Sequence, residues 1–291
     1  MRFADSLGMH INGKDAIEAR LNGQVVWSDQ SLSDLDKLIQ QLYGTGLKGA
    51  VYIPRPVVNS SQVLWQDADM TVPVAADGDP VRVMQDLSGA GRDAIAPTSA
   101  ARAIYKTDGV SHKLLFDGID DHYVISKTMA QSVEGLWVSA AINFLSFANT
   151  TEFAVAWFSK GDSSSATRFR LNAINSSTLQ CAGRRLDSDG FDSGAFTSDI
   201  IVRGEPAVLT GSAEYINQLS LVRKNGVEVN RKTPFSTQGI SDAAASQEAF
   251  LGRIANNYSN MEFYGAVFQG ATGESIGDAE QYLADISGVV L

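Results

Sequence analysis

From about residue 62 onward the chain is broken into short runs that are apolar or alternate apolar with polar, at 113–116, 122–125, 136–147, 152–158, 167–173, 218–224, 227–231, 249–254 and 262–269. Clusters of Gly, Asp, Asn and Ser separate them. Runs of this length, bounded by turn formers, fit strands and are too short to bury a core as helices. So many in succession predict an antiparallel β-sandwich. Asn225-Gly226, between LSLVRK and VEVNRK, carries the residues of a type I′ turn and pins one antiparallel pair. Runs 136–147 and 152–158 are apolar on both faces, which predicts central strands beneath a second layer. Residues 168–171 alternate, which predicts one wet face.

Two smaller pieces precede this region. Residues 1–28 read as a β-hairpin turning at Asn22-Gly23, too small to hold together without a partner, and therefore as an assembly or anchor element. Residues 29–61 read as an amphipathic helix followed by a connector. Leu32, Leu35, Leu38, Ile39 and Leu42 recur at three- and four-residue steps, Ser33 and Asp36 have capping-box spacing, and Gly44 or Gly46 supplies the stop. The apolar stripe must be buried, either by self-association, with a trimer favoured, or by docking onto the chain's own sandwich. The sandwich itself is expected over residues 62–291, closed by a short helix with Ala279, Tyr282, Leu283 and Ile286 on one face.

Charge narrows the partners. Twenty-three Lys and Arg against 33 Asp and Glu leave a net charge of −10, and the basic residues do not cluster, which argues against nucleic acid. No apolar run approaches the 18 residues of a membrane span, and no signal peptide is expected. The lone Cys181 leaves no intrachain disulfide, so packing must hold the fold.

Two motifs that match catalytic patterns fail on context. Gly44-Thr45-Gly46-Leu47-Lys48-Gly49 spells a dinucleotide fingerprint, but a helix precedes it and an extended segment follows, the reverse of what pyrophosphate binding requires. Gly273-Glu274-Ser275-Ile276-Gly277 spells a nucleophile elbow, yet His10, His112 and His122 all lie upstream; Ser275 reads better as a helix N-cap. No histidine spacing suits zinc. The chain is therefore not expected to be an enzyme, and no cofactor is required. The one candidate ion site is the acidic turn with Asp187, Asp189 and Asp192, three carboxylates in six residues around Gly190, which could offer oxygens to Ca2+ on a binding rim. Tyr43, Tyr52, Tyr215 and Tyr258 stand in polar surroundings where a ring could stack on a sugar, whereas Trp65, Trp137 and Trp157 read as core.

In order along the chain, LWQDADMTVPVAADGDPVRVMQDLSGAGRDA (64–94), KLLFDGIDDHYVI (113–125), LSLVRKNGVEV (219–229), FLGRI (250–254) and FYGAVFQGATGESIGDAEQYLADISGV (263–289) resemble segments of concanavalin A-like, laminin-G-like jelly-roll domains. They are especially similar to those of bacteriophage virion proteins of the fibre or spike type. The resemblance implies a mainly β, antiparallel jelly-roll sandwich and a virion location. It implies that residues 1–61 contact other virion proteins and that the lectin-like domain contacts carbohydrate on the host surface. A purely architectural capsid-decoration or tail-tip role without a sugar site is the alternative, and a depolymerase the third. Asp86, Ser88, Gly89, Gly91, Asp117, Gly118, Asp120 and Asp121 carry over as scaffold positions. The E-x-D-x-x-E strand of hydrolytic relatives is missing from the sequence.

Overall fold

The computed structural model describes residues 33–44, 46, 48–146, 152–159, 167–174, 177–243 and 248–291, together with the backbone of strand residues 10–11, 14–15, 18–21 and 24–28. The chain forms two units, residues 1–37 and 38–291.

In the smaller unit His10–Ile11 pairs with Lys14–Asp15, and Glu18–Leu21 pairs with Gln24–Ser28. Leu21 opposes Gln24, the register that a two-residue loop imposes; the Asn22-Gly23 turn lies outside the described residues. The helix Asp34–Tyr43 opens with the expected capping box: Ser33 Oγ accepts from the Asp36 N–H at 3.1 Å, and the Asp36 carboxylate accepts from Ser33 N at 3.3 Å.

The larger unit is an antiparallel β-sandwich. One sheet has nine strands, in the order Asp192–Thr197, Thr178–Gly183, Thr167–Ile174, Glu152–Ser159, Glu248–Leu251, Tyr123–Val124, Ala94–Ile95, Val83–Met84, Leu64–Trp65. The other has eight: Ile104–Thr107, His112–Asp117, Asn260–Gly270, Gly135–Ser146, Ala207–Glu214, Leu219–Lys224 and Val227–Lys232, with Lys48–Tyr52 paired to the distal half of Asn260–Gly270. Side chains alternate across each strand, and the inward set, including Met84, Phe116, Tyr123, Phe158, Phe169 and Phe268, forms one continuous core between the sheets. Asn225 and Gly226 both have positive φ, as a type I′ turn requires, and Lys224 opposes Val227.

The sandwich starts earlier than the sequence implied. Residues 44–56, expected as a connector, contain the buried strand Lys48–Tyr52, so the sheet begins at Lys48 rather than at residue 62. Gly49 permits this pairing, because a Cβ there would run into the Phe268 carbonyl and the Tyr43 ring.

Part of the helix stripe is buried within the larger unit. Leu38 and Leu42 are buried in the larger unit, the Gln269 side chain donates to the Leu42 carbonyl at 2.8 Å, and the Tyr43 hydroxyl donates to the Phe268 carbonyl at 2.7 Å. Of the face expected to drive a trimer, Leu35 is buried, Ile39 is half-buried and Leu32 lies outside the described residues.

The closing helix Ile276–Ser287 packs on strands Gly135–Ser146, Ala207–Glu214 and Asn260–Gly270, and a buried Glu280 paired with Arg223 at 2.9 Å ties it to Leu219–Lys224. Ser275 occupies its N-cap position without a side-chain capping bond. The closing helix thus covers part of the eight-stranded sheet, and the end of the first helix is bonded to it at Leu42 and Tyr43. Among the described residues no α-helix packs on the nine-stranded sheet, though the short 3-10 helix Lys127–Ala130 borders it.

Candidate functional site

Register carries one row of outward-facing side chains across the nine-stranded sheet. Leu64, Met84, Ala94, Tyr123, Leu251 and Phe158 point into the core, so their neighbours point out. Successive pairings join Trp65 to Val83, Val83 to Ile95, Ile95 to Val124, Val124 to Phe250, Phe250 to Trp157 and Trp157 to Arg170. All but the last of these residues are apolar. At one end of the row Phe191, an exposed aromatic, lies 5.2 Å from the Arg170 guanidinium.

Part of the row is covered and part is open. The hairpin formed by Arg253–Ile254 and Asn257–Tyr258 folds over it, and Ile254 joins Ala154, Trp157 and Phe250 in a small cluster outside the main core. Trp157 stacks on Phe250 at 5.7 Å and donates its indole N–H to Thr167 Oγ1 at 2.9 Å. The Arg253 guanidinium lies 4.6 Å from the Phe250 ring centre and 5.7 Å from that of Tyr258. Ile95 and Val124, by contrast, remain 41% and 40% exposed in a half-buried sheet. Beside them opens a groove of about 470 Å³, lined by Val124, Ile125, Ala249 and Phe250 on the floor and by Ser126, Lys127 and Thr128 on the rim.

His122 stands between this face and the acidic turn before it. Its ring lies 5.7 Å from Phe250 and 5.4 Å from Tyr258, and Nδ1 is 2.8 Å from the Asp120 carbonyl. Burial first, and then the Arg253 charge, hold the imidazole below its usual range, so it is neutral at pH 7; the Asp120 bond and charge oppose this. Asp117, Asp120 and Asp121 bring carboxylate oxygens within 4.8 Å of one another. Asp117 accepts from the Ile119 N–H at 2.7 Å and Asp121 from the Asp117 N–H at 2.9 Å, so the cluster closes its own turn. Burial, reinforced by the charges of Asp117 and Asp120, pushes the Asp121 carboxyl up to about 7, against the pull of the Asp117 N–H. The other carried-over positions also serve the scaffold: Asp86 accepts from the N–H groups of Val51, Ser88 and Arg92 at 2.9 to 3.1 Å, and Gly89 and Gly91 have positive φ.

The acidic turn at 187–192 is not assembled as an ion site. Asp187 is paired with the buried Arg168. Asp189 lies 3.4 Å from Arg185 and accepts from the Thr237 hydroxyl at 2.6 Å. Asp192 is paired with Lys232 and accepts from the Gly194 N–H at 2.8 Å. Burial works against the Asp192 charge, but these bonds outweigh it and hold the carboxyl below its usual range. Each acid therefore faces a different cation. Among the described residues the acids that do converge are Asp117, Asp120 and Asp121.

The remaining candidates separate clearly. Tyr52 and Tyr215 are core residues and Tyr43 is held at the helix end, so only Tyr258 of the four tyrosines reaches this face. Trp137 and Trp157 are fully buried, though both point away from the central core, and Trp65 is half-buried. Cys181 is buried, and desolvation pushes its thiol up to about 12, far from a reactive thiolate. His112 is engaged by the Tyr105 hydroxyl. Ser275 instead borders a second, polar cleft of about 640 Å³ that also presents Lys48, Glu134, Gln269 and Glu274. Its buried amide, Gln269, is satisfied by Leu42 and Trp137, and no aromatic ring lines it.

Neither a protein-family model nor a curated protein matches the chain. Solved structures match the fold. The receptor-binding domain of botulinum neurotoxin type G superposes with a TM-score of 0.52 at 10% identity, over 82% of this chain and 52% of that one. An arabinofuranosidase in complex with arabinofuranosyl-α-1,2-xylobiose gives 0.51 at 12%, over 86% and 64%. The sialidase of Trypanosoma rangeli gives 0.50 at 10%, over 83% and 33%. The chain thus spans about half the length of the receptor-binding domain and a third of the sialidase. At these identities the likeness is one of fold: a β-sandwich found both in a receptor-binding domain and in enzymes that act on sugars.

Proposed function

We propose that the chain is a carbohydrate-binding β-sandwich without catalytic function, presented on a virion, and that saccharide lies in the groove beside Val124 and Phe250. The observation that carries this reading is the outward apolar row of the nine-stranded sheet, open at Ile95 and Val124 and edged by hydroxyl and ammonium groups. A pyranose has apolar C–H faces and a polar rim, and that combination of floor and edge complements it. Sharing a fold with a receptor-binding domain and with sugar-acting enzymes supports the ligand class.

Binding is favoured over hydrolysis because glycoside cleavage needs two carboxyl groups flanking the bond, and no carboxylate is among the residues lining the groove. The virion setting is supported by the resemblance of residues 62–291 to bacteriophage jelly-roll domains, and co-purification of the chain with intact particles tests it. The ligand is tested with the full chain on a panel of oligosaccharides. Saturable binding is expected to fall at least tenfold in Val124→Trp, which fills the groove, with unchanged thermal stability and no release of reducing sugar. Equal binding by the wild type and Val124→Trp, or saccharide cleavage, would overturn the reading.

A further inference from the structure

We infer that the saccharide taken by this groove carries an anionic group, a carboxylate or a sulfate, a proposal that rests on the carbohydrate reading above. In a chain of net charge −10, cations are the minority and acidic partners are plentiful. Ion pairs take up some of the described cations, including Lys113 with Glu262, Arg223 with Glu280 and Lys232 with Asp192. Two of the cations outside these pairs border Phe250. Among the described residues, no carboxylate pairs with Lys127 on the groove rim or with Arg253 above the Phe250 ring. Arg253 spends its Nε–H on the Ala255 carbonyl at 2.6 Å, a bond that fixes the plane of the guanidinium and leaves its positive charge uncompensated by an acid.

An ammonium in the groove lining and an oriented guanidinium over the ring of Phe250, itself part of that lining, suit a ligand that is apolar over part of its surface and negative at its edge. A neutral sugar would use the floor but leave both charges unanswered. Among the described residues, the turn before His122 brings Asp120 and Asp121 near Phe250, through the Asp120 carbonyl on His122 and the His122 ring beside Phe250. Asp121 is buried against its own turn and holds its proton up to about 7, which weakens its repulsion of an anion.

The test uses the full chain on neutral, carboxylated and sulfated oligosaccharides displayed at one density. Preferential binding of anionic members is expected, weakening as salt is raised, falling at least fivefold in Lys127→Gln and in Arg253→Gln, and restored in Lys127→Arg. The carboxylated and sulfated arms identify which anion is read. Because Lys127 is exposed, Lys127→Gln tests charge without disturbing the Arg253–Phe250–Tyr258 stack. Binding confined to neutral members, or anionic binding unmoved by Lys127→Gln, would overturn this inference while leaving the carbohydrate reading intact. No binding by any member would overturn both.

Discussion

Asp121 shows at the scale of one side chain how the turn beside the groove is built and what it costs. Its carboxyl is raised from 3.8 to about 7 by burial and by two neighbouring acids. The folded state therefore holds a proton that the unfolded state has released between about pH 4 and 7, and stability falls as pH rises through that window. Asp121→Asn keeps an acceptor for the Asp117 N–H and removes the charge. It is expected to be more stable than the wild type at pH 8 by on the order of 1–2 kcal/mol after allowance for solvent screening, with the gap closing toward pH 4. Thermal melts across that range check it, and parallel curves would contradict it. The acids at 187–192 make the complementary point. In the sequence they form a run with no basic residue from 187 to 199, and that run suggested an ion. The fold supplies Arg168 and Lys232 from other strands, while Arg185 lies just before the run; cross-strand pairing cannot be read from local spacing. Asp189→Ala is accordingly expected to leave any Ca2+ titration heat unchanged.

Single elements were legible where the signal was local. Capping-box spacing placed the start of the helix at Ser33, and Asn225-Gly226 placed a hairpin, because both depend on residues within one turn. The Lys48–Tyr52 strand was missed: its glycines look like a linker, whereas Gly49 is required by the close approach of Phe268 and Tyr43. Gly49→Ala is expected to cost about 1–3 kcal/mol by forcing this strand from its neighbour. The apolar row was missed for a related reason. It takes one residue from each of several short strands, and only the register of the finished sheet aligns them. At the helix, burial of Leu42 under Gln269 and the closing strand makes Leu42→Ala cost about 2–4 kcal/mol, measurable by urea denaturation.

Across the whole molecule the sheets differ in what covers them, and the proposed binding face lies on the more open one. The eight-stranded sheet carries the closing helix, locked down by Arg223–Glu280, and is bonded to the end of the first helix at Leu42 and Tyr43. The nine-stranded sheet keeps a hairpin over Trp157 and leaves Ile95 and Val124 open. Fold class was readable from the number and punctuation of the runs, since a sandwich follows from alternation and turns alone. Its boundary was not, because contacts rather than composition divide the chain between residues 37 and 38. Deleting residues 1–28 is expected to leave the melting temperature of the sandwich unchanged, and loss of folding would contradict the division into two units. Hydrogen exchange of the full chain, with and without a bound oligosaccharide, tests the central claim most directly. Protection confined to residues 122–128 and 249–258 is the predicted result, and protection at residues 131–134 and 269–275, around the polar cleft, would contradict it.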